Sequence, residues 1–87
     1  MAHDILIVDD EDDIRRQIAG VLEDEGYETR QAVNSAEAFA AINVRKPNLI
    51  ILDVWLRNSE HDGLQILEII RRENANQQVV MISGHGT

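Results

Sequence analysis

The sequence contains no cysteine, so it can hold neither a disulfide framework nor a thiolate metal site. It also lacks any apolar run near the roughly 20 residues that a membrane-spanning helix needs. Its first residues, Met1-Ala2-His3-Asp4, do not have the basic flank and long apolar region of a signal peptide. These absences argue against a membrane protein or a secreted disulfide-rich protein, and they predict a cytoplasmic one.

Positive charge is scarce as well. Lysine and arginine together number 8, against 16 aspartate and glutamate residues, and the formal net charge is −8. Because contacts to phosphate groups need lysine and arginine, this segment is not expected to bind nucleic acid. Ten of the 16 acidic residues lie between Asp4 and Glu28, so a cation or a basic protein surface is the expected partner.

The 87 residues allow one domain, in which four short segments are predicted to be β-strands. The segment Leu49-Ile50-Ile51-Leu52-Asp53 places four apolar residues before a carboxylate, which is typical of a strand buried on both faces of a parallel sheet. The predicted strands comprise residues 5–8, 27–33, 49–53 and 79–82. The second of them alternates weakly in polarity and is expected to be more exposed.

Three helices are predicted between these strands. The first opens at Asp12, whose charge suits a helix N-terminus, and has Gly26 as its expected C-cap. The second opens at Asn34 and is broken by Pro47, and the third extends from Gly63 to about residue 73. The residues expected to face the sheet are Ile14, Ile18, Val21 and Leu22 in the first helix, and Leu64, Leu67 and Ile70 in the third.

Strands that alternate with helices indicate an α/β fold with a parallel sheet and right-handed crossovers. Polar groups stand at the carboxyl ends of these strands: Asp9 and Asp10 follow the first, Asp53 ends the third and Ser83 follows the fourth. If these strands are adjacent, about 4.8 Å apart, the three carboxylates would repel one another unless a cation joined them. Mg²⁺ prefers such oxygen ligands, and no cluster of histidine or cysteine favours zinc instead.

A carboxylate beside Mg²⁺ can attack phosphorus and form an aspartyl phosphate. Phosphoryl transfer depends mainly on positioning and charge neutralisation, and a cation between Asp10 and Asp53 would supply the second. The hydroxyl of Ser83 and the backbone N–H of Gly84 are available to phosphoryl oxygens. Such bonds bias a loop between two arrangements, as in a phosphorylation switch.

Four motifs form a set that spans the chain. They are Ile5-Leu6-Ile7-Val8-Asp9-Asp10-Glu11, Leu49-Ile50-Ile51-Leu52-Asp53, Asp62-Gly63 and Val79-Val80-Met81-Ile82-Ser83-Gly84. As a set they resemble a response-regulator receiver domain of two-component signalling, which implies a flavodoxin-like (CheY-like) doubly wound parallel sheet with strand order 2-1-3-4. Around Asp53-Val54-Trp55-Leu56 and Ile82-Ser83-Gly84-His85-Gly86 the sequence is most similar to the NtrX group of nitrogen-regulation regulators.

The resemblance implies a role for each residue of the site. Asp53 would be the phospho-acceptor and Ser83 the switch hydroxyl. Asp10 would bind Mg²⁺ directly, Asp9 would hold it through water, and the backbone carbonyl of Trp55 would be a further ligand. The phosphoryl donor would be a sensor histidine kinase, and the signal would pass to a transcription-regulating output domain outside these residues. The chain would not be an enzyme beyond accepting the phosphoryl group and slowly releasing it.

The sequence departs from the family pattern in two ways. Where the family usually has a proline four residues after the acceptor, this chain has Arg57, and the loop to Asp62-Gly63 is longer than usual. The 87 residues end before the family's fifth strand, its phosphate-binding lysine and its last two helices. Lys46 is the only lysine, and it cannot substitute because it precedes the third strand, at the amino end. The sequence therefore predicts that residues 1–87 are an incomplete receiver domain with an exposed fourth strand, and a homodimer or strand-exchanged oligomer is expected.

Two other functions fit parts of the pattern. A haloacid-dehalogenase-like phosphatase also forms an aspartyl phosphate, but its second aspartate would fall at Trp55, which leaves turnover without a proton donor. A receiver-fold interaction module that is not phosphorylated would not need the full set of carboxylates. Mass measurement after phosphodonor treatment, with and without Mg²⁺, separates the three functions.

Overall fold

The computed structural model describes residues 3–83, which form a four-stranded sheet with three helices. All neighbouring strands are parallel, in the order β2-β1-β3-β4, so the predicted α/β fold and strand order are confirmed. None of the helices in this part of the chain is long and apolar enough to span a bilayer. The elements in chain order are β1 (Asp4–Val8), α1 (Asp12–Asp24), β2 (Glu28–Ala32), α2 (Ser35–Val44), β3 (Leu49–Asp53), α3 (Gly63–Glu73) and β4 (Gln78–Ile82).

β1 is buried on both faces, whereas β3 is buried on one face and partly buried on the other, where Leu49 and Ile51 lie. Apolar contacts on both faces explain the uninterrupted apolar sequences of these two strands. On one face, α2 and α3 cover a cluster that includes Leu6, Leu52 and Ile66, each with no measurable exposure. On the other face, α1 packs through Ala19 against Ile7. Successive strand residues point to opposite faces, so one run of apolar residues fills both clusters. The carboxyl ends of these two strands therefore lie among fully buried residues, since Val8 and Leu52 are both 0% exposed.

Turn residues set the ends of the first two helices much as predicted. Glu25 is the C-cap of α1, and Gly26 follows it with φ of 93°, a left-handed conformation that glycine adopts without strain. At the start of α2, the side chain of Asn34 accepts a hydrogen bond from the N–H of Glu37 at 2.9 Å. The turns that join α1 to β2 and β2 to α2 are correspondingly short, at residues 25–27 and 33–34.

α1 faces the sheet through part of the predicted stripe, since Ile18 and Leu22 pack against the cluster of Ile5, Ile7 and Ala19. Its buried residues are Arg15 and Ala19, whereas Val21 is 65% exposed. Val21 lies two residues beyond Ala19, about 200° further around the helix, so it points away from the sheet. The prediction that Val21 faces inward was wrong, because a polar residue with internal partners occupies part of the buried face instead.

The inward face of α3 was also wrong at one position, since Leu64 is 58% exposed. The start of the helix fixes its rotation: Asp62 caps it through a capping box, accepting from the N–H of Gln65 at 2.9 Å. Ile66 and Ile70, one turn apart, then point into the core. Leu64 falls outside that stripe.

β4 is one of the two outer strands of the sheet in residues 3–83, and β2 is the other. β4 pairs with β3 along its whole length, and Val80 on it is 48% exposed. An outer strand of this kind offers unpaired backbone groups to another strand. The homodimer or strand-exchanged oligomer expected from the sequence stays a prediction.

A cluster of charged side chains ties the amino ends of the strands to the end of α2. Asp4 is 6% exposed, and Arg30 donates to both of its carboxylate oxygens, at 3.0 and 2.6 Å. Arg45 adds a third hydrogen bond at 3.2 Å, and Arg30 also reaches the carbonyl oxygen of Ala41 at 2.7 Å. Burial alone would raise the pKa of Asp4, but the hydrogen bonds and charges of the two arginines outweigh it and lower the pKa below its ordinary value of 3.8.

Replacing Asp4 with asparagine is expected to destabilise the domain at neutral pH by roughly 1–3 kcal/mol, because two arginines lose their charged acceptor. The folded-state pKa is depressed, so this stabilisation is present above the unfolded pKa and is lost as the pH falls through the folded one. Urea unfolding of both proteins at pH 7 and below about pH 4 should therefore show a gap that narrows in acid. A gap that is the same at both pH values would contradict the arginine pairing.

Candidate metal and phosphoryl site

Three carboxylates meet where β1 and β3 end. Asp9 and Asp10 follow β1, and Asp53 is the last residue of β3. Each offers one carboxylate oxygen, and these oxygens all lie within 4.8 Å of one another. β1 and β3 are direct neighbours, with Val8 beside Leu52, so the adjacency on which the predicted convergence depended is observed.

Two of these carboxylates are almost completely buried. Asp9 is 1% exposed and Asp53 is 0% exposed. Local hydrogen bonds orient them: Asp9 Oδ1 accepts from the N–H of Glu11 at 2.8 Å, and Asp53 Oδ1 accepts from the N–H of Trp55 at 3.2 Å. Asp9 Oδ2 is buried without a hydrogen-bond partner among the described residues. A charged oxygen in that position is unfavourable unless a proton or a cation joins it.

The pKa of Asp9 also reflects the unfavourable burial of its charge. Burial raises the pKa of its carboxyl above the ordinary value of 3.8. The hydrogen bond from the backbone of Glu11 opposes this shift, and the negative charges of Asp53 and Asp10 add to it. A bound cation would relieve both the burial penalty and the repulsion between the carboxylates.

The donor set fits a hard divalent cation. It consists of three carboxylates, two of them buried, and the cluster includes neither histidine nor cysteine. Mg²⁺ is usually held by one or two carboxylates together with waters and phosphate oxygens. The buried Asp9 Oδ2, which lacks a partner among the described residues, is where an ordered ligand such as a metal-bound water would be accepted.

The remaining predicted site residues are close along the chain to this cluster. Trp55 stands two residues after Asp53, its side chain is 59% exposed, and the role of its carbonyl oxygen as a ligand stays a prediction. Ser83 is exposed directly after β4, whose last residue Ile82 accepts a hydrogen bond from the N–H of Val54 at 2.9 Å. The ends of β3 and β4 are thus bonded together beside Ser83. The backbone N–H expected of Gly84 and the loop through residue 87 lie outside the described residues.

Two arginines near the site were not identified from the sequence. Arg15 is 7% exposed and donates to the carbonyl oxygen of Asp9 at 2.7 Å and to Gln31 Oε1 at 3.1 Å. It also donates a hydrogen bond to the carboxylate of Asp12 and forms an ion pair with it. Arg15 therefore braces the end of β1 against α1 and β2. The sequence carried one indication of this: Arg15 and Ala19 are about one helical turn apart and therefore lie on the same face of α1. Because Arg15 is charged, it was not assigned to the buried face.

Arg57 is the second of these arginines. It stands where the family usually has a proline, and its side chain is 71% exposed. Its Nε nevertheless lies 3.9 Å from Asp10 Oδ2, within ion-pair distance of the acidic cluster. Nothing in the local sequence pattern reveals this pair, because it depends on the path of the loop between β3 and α3.

Comparisons with known proteins agree with this geometry. The sequence profile of the family described as response regulator receiver domain matches residues 5–87. The nitrogen assimilation regulatory protein NtrX of Azorhizobium caulinodans is 60% identical over 86 residues, which cover 99% of this chain and 19% of that protein. This chain thus spans about a fifth of the length of that relative.

Solved structures show the same similarity. The crystal structure of the receiver domain of NtrX from Brucella abortus has a TM-score of 0.90 and 55% identity, covering 94% of this chain and 68% of that one. The chemotaxis protein CheY4 of Vibrio cholerae has a TM-score of 0.89 at 25% identity, covering 100% of this chain and 72% of that one. The predicted CheY-like fold and the predicted similarity to the NtrX group are confirmed.

Proposed function

Since the chain belongs to the family of response regulator receiver domains, we propose that it accepts a phosphoryl group on Asp53 and acts as a phosphorylation switch. The observation that carries this proposal is the position of Asp53. It is buried at the end of a central strand, and it offers a carboxylate oxygen within 4.8 Å of oxygens from two further carboxylates. That arrangement is unfavourable for a merely structural residue and suited to one that works with a cation.

In the proposed reaction, a carboxylate oxygen of Asp53 forms a bond to phosphorus. The bond from phosphorus to the donor atom breaks, and its electron pair leaves with the donor. The N–H of Trp55, 3.2 Å from Asp53 Oδ1, orients the carboxylate for this attack. Mg²⁺, when bound, supplies positive charge that offsets the charge of the phosphoryl group. Asp10 would hold it directly, Asp9 through water, and Trp55 by its backbone carbonyl.

The phosphoryl donor and the output of the protein are inferred from its relatives, and they are part of the proposal. A sensor histidine kinase would donate the phosphoryl group, and Ser83 would bond a phosphoryl oxygen and so couple the modification to the loop after β4. We further propose that residues 1–87 are an incomplete receiver domain within a longer cytoplasmic protein. Its output would regulate transcription and would act in nitrogen assimilation, the process named for the Azorhizobium caulinodans relative, a nitrogen assimilation regulatory protein.

Mass spectrometry after phosphodonor treatment tests the proposal. The full-length protein that carries these residues is incubated with acetyl phosphate in Mg²⁺ or in a chelator, and its intact mass is measured. We expect the mass of one phosphoryl group, gained only with Mg²⁺ and lost on treatment with hydroxylamine, which cleaves acyl phosphates. No gain in mass would support an unphosphorylated interaction module, and continuous release of phosphate far beyond one equivalent would support a hydrolase.

A further inference from the structure

The ion pair between Arg57 and Asp10 joins an exposed loop to the acidic cluster. Arg57 Nε lies 3.9 Å from Asp10 Oδ2, and the side chain of Asp10 is only 14% exposed. Asp10 is one of the three carboxylates whose oxygens lie within 4.8 Å of one another. The guanidinium of Arg57 therefore offsets part of the negative charge that a divalent cation would otherwise neutralise.

The loop that carries Arg57 is anchored on both sides of it. Leu56, immediately before, packs against the main hydrophobic core. Ser59, two residues after, accepts a hydrogen bond at 2.8 Å from the N–H of Ser35, which is 2% exposed at the start of α2. Between these anchors the chain turns at Asn58, whose φ is 53°. The loop path thus brings Arg57 towards Asp10 by contacts that do not involve the ion pair itself.

We propose that Arg57 is a built-in counter-ion of this site, which neutralises Asp10 when no divalent cation is bound and is displaced when one binds. A cation held by Asp10 would repel the guanidinium, since both are positive and share one carboxylate. An interaction present only in the cation-free form stabilises that form, so it lowers the affinity for the cation. Arg57 therefore sets the cation concentration at which the site becomes ready to accept a phosphoryl group. The inference rests on the proposed Mg²⁺ site.

Calorimetric titration with Mg²⁺ tests the displacement. Replacing Arg57 with methionine keeps an unbranched side chain as far as the position of Nε and removes the charge, and it is expected to lower the dissociation constant for Mg²⁺ roughly three-fold or more. Replacing Arg57 with lysine keeps the charge and should leave the constant close to that of the wild type. Raising the salt concentration should narrow the difference between Arg57→Met and the wild type, because the side chain of Arg57 is exposed to solvent.

Arg16 provides a matched control. Its side chain is also 71% exposed and lies 3.8 Å from Asp12, a carboxylate outside the three-residue cluster. Arg16→Met removes the same unit of charge. If it lowered the dissociation constant for Mg²⁺ as much as Arg57→Met does, the effect would come from net charge alone and the proposal would be overturned. A dissociation constant for Arg57→Met that equals or exceeds that of the wild type would overturn the proposal as well.

Thermal unfolding in a chelator gives a readout without Mg²⁺. Arg57→Met should lower the Tm of the wild type but not that of Asp10→Asn, since the second protein has already lost the ion pair. An equal effect in both backgrounds would overturn the proposal. If the wild type binds Mg²⁺ and accepts a phosphoryl group while Arg57→Met behaves like the wild type, only this inference fails. If the wild type does neither, the proposed function fails with it.

Discussion

Replacing Gly63 with alanine is expected to destabilise the domain by about 3 kcal/mol or more, which corresponds to a fall in Tm of roughly 12 °C or more for a chain of this size. A Cβ atom at this position would lie 2.0 Å from the carbonyl oxygen of Asp53 and 2.8 Å from the Cα of Val54. Both are backbone atoms at the end of β3, so no side-chain rotation relieves the overlap. The N–H of Gly63 also donates to the carbonyl oxygen of Val54 at 3.2 Å.

Gly20→Ala is the control for this experiment. Gly20 lies inside α1, and a Cβ there would have no atom within 4 Å. Alanine is a better helix former than glycine, so this substitution is expected to stabilise the domain by up to about 1 kcal/mol. Thermal unfolding of the two variants should thus move in opposite directions from the wild type. If Gly63→Ala had the same Tm as the wild type, the stability of the domain would not depend on the close contact between the start of α3 and the end of β3.

Asp53→Asn is expected to abolish phosphorylation by a small phosphodonor. The amide preserves the size and shape of a side chain that is 0% exposed, but it is neutral and does not attack phosphorus. Removing one of three carboxylates whose oxygens lie within 4.8 Å of one another should also raise the Tm in a chelator. Intact mass and thermal unfolding therefore give two independent measurements on one protein. A loss of phosphorylation accompanied by unfolding would be uninformative, so the Tm measurement is also the folding control.

Asp62→Asn is the matched control for the loss of phosphorylation. Asp62 caps α3 next to the same loop, and it is not one of the three clustered carboxylates. Asparagine serves as an N-cap about as well as aspartate, so this variant should fold and accept one phosphoryl group. If Asp53→Asn still gained a Mg²⁺-dependent phosphoryl group, the acceptor would be a different residue of the cluster, and the role proposed for Asp53 would be wrong.

The sequence predicted the strands better than the faces of the helices. The bounds of β3 are the predicted ones, because a run of buried apolar residues is limited on one side by Pro47 and on the other by a polar loop. Val21 and Leu64 were assigned to the wrong side, since an apolar residue on a helix does not determine its own orientation. In α3 the rotation is set by the cap and by the contact of Gly63 with the end of β3.

The sequence predicted the parts of the site that the order of the strands in the sheet determines. Once β1 and β3 are neighbours, the carboxylates that follow them have to converge, and sequence patterns alone indicated the strands. The two arginines depend on tertiary contacts instead. Arg15 is buried through partners on two other elements, and Arg57 approaches Asp10 because contacts on both sides of it anchor the loop. No local pattern records such contacts.

The two ends of the sheet differ in the source of their balancing charge. At the amino end, Asp4 is matched by Arg30 and Arg45, both supplied by the chain. At the carboxyl end, the cluster around Asp9 and Asp53 has more negative charge than one exposed arginine can offset. Under the proposed function, a divalent cation would supply the remaining positive charge at the carboxyl end, so the divalent-cation content of the buffer is expected to change the stability there and not at the amino end. Melting curves recorded in magnesium and in a chelator compare two charge states of the same fold.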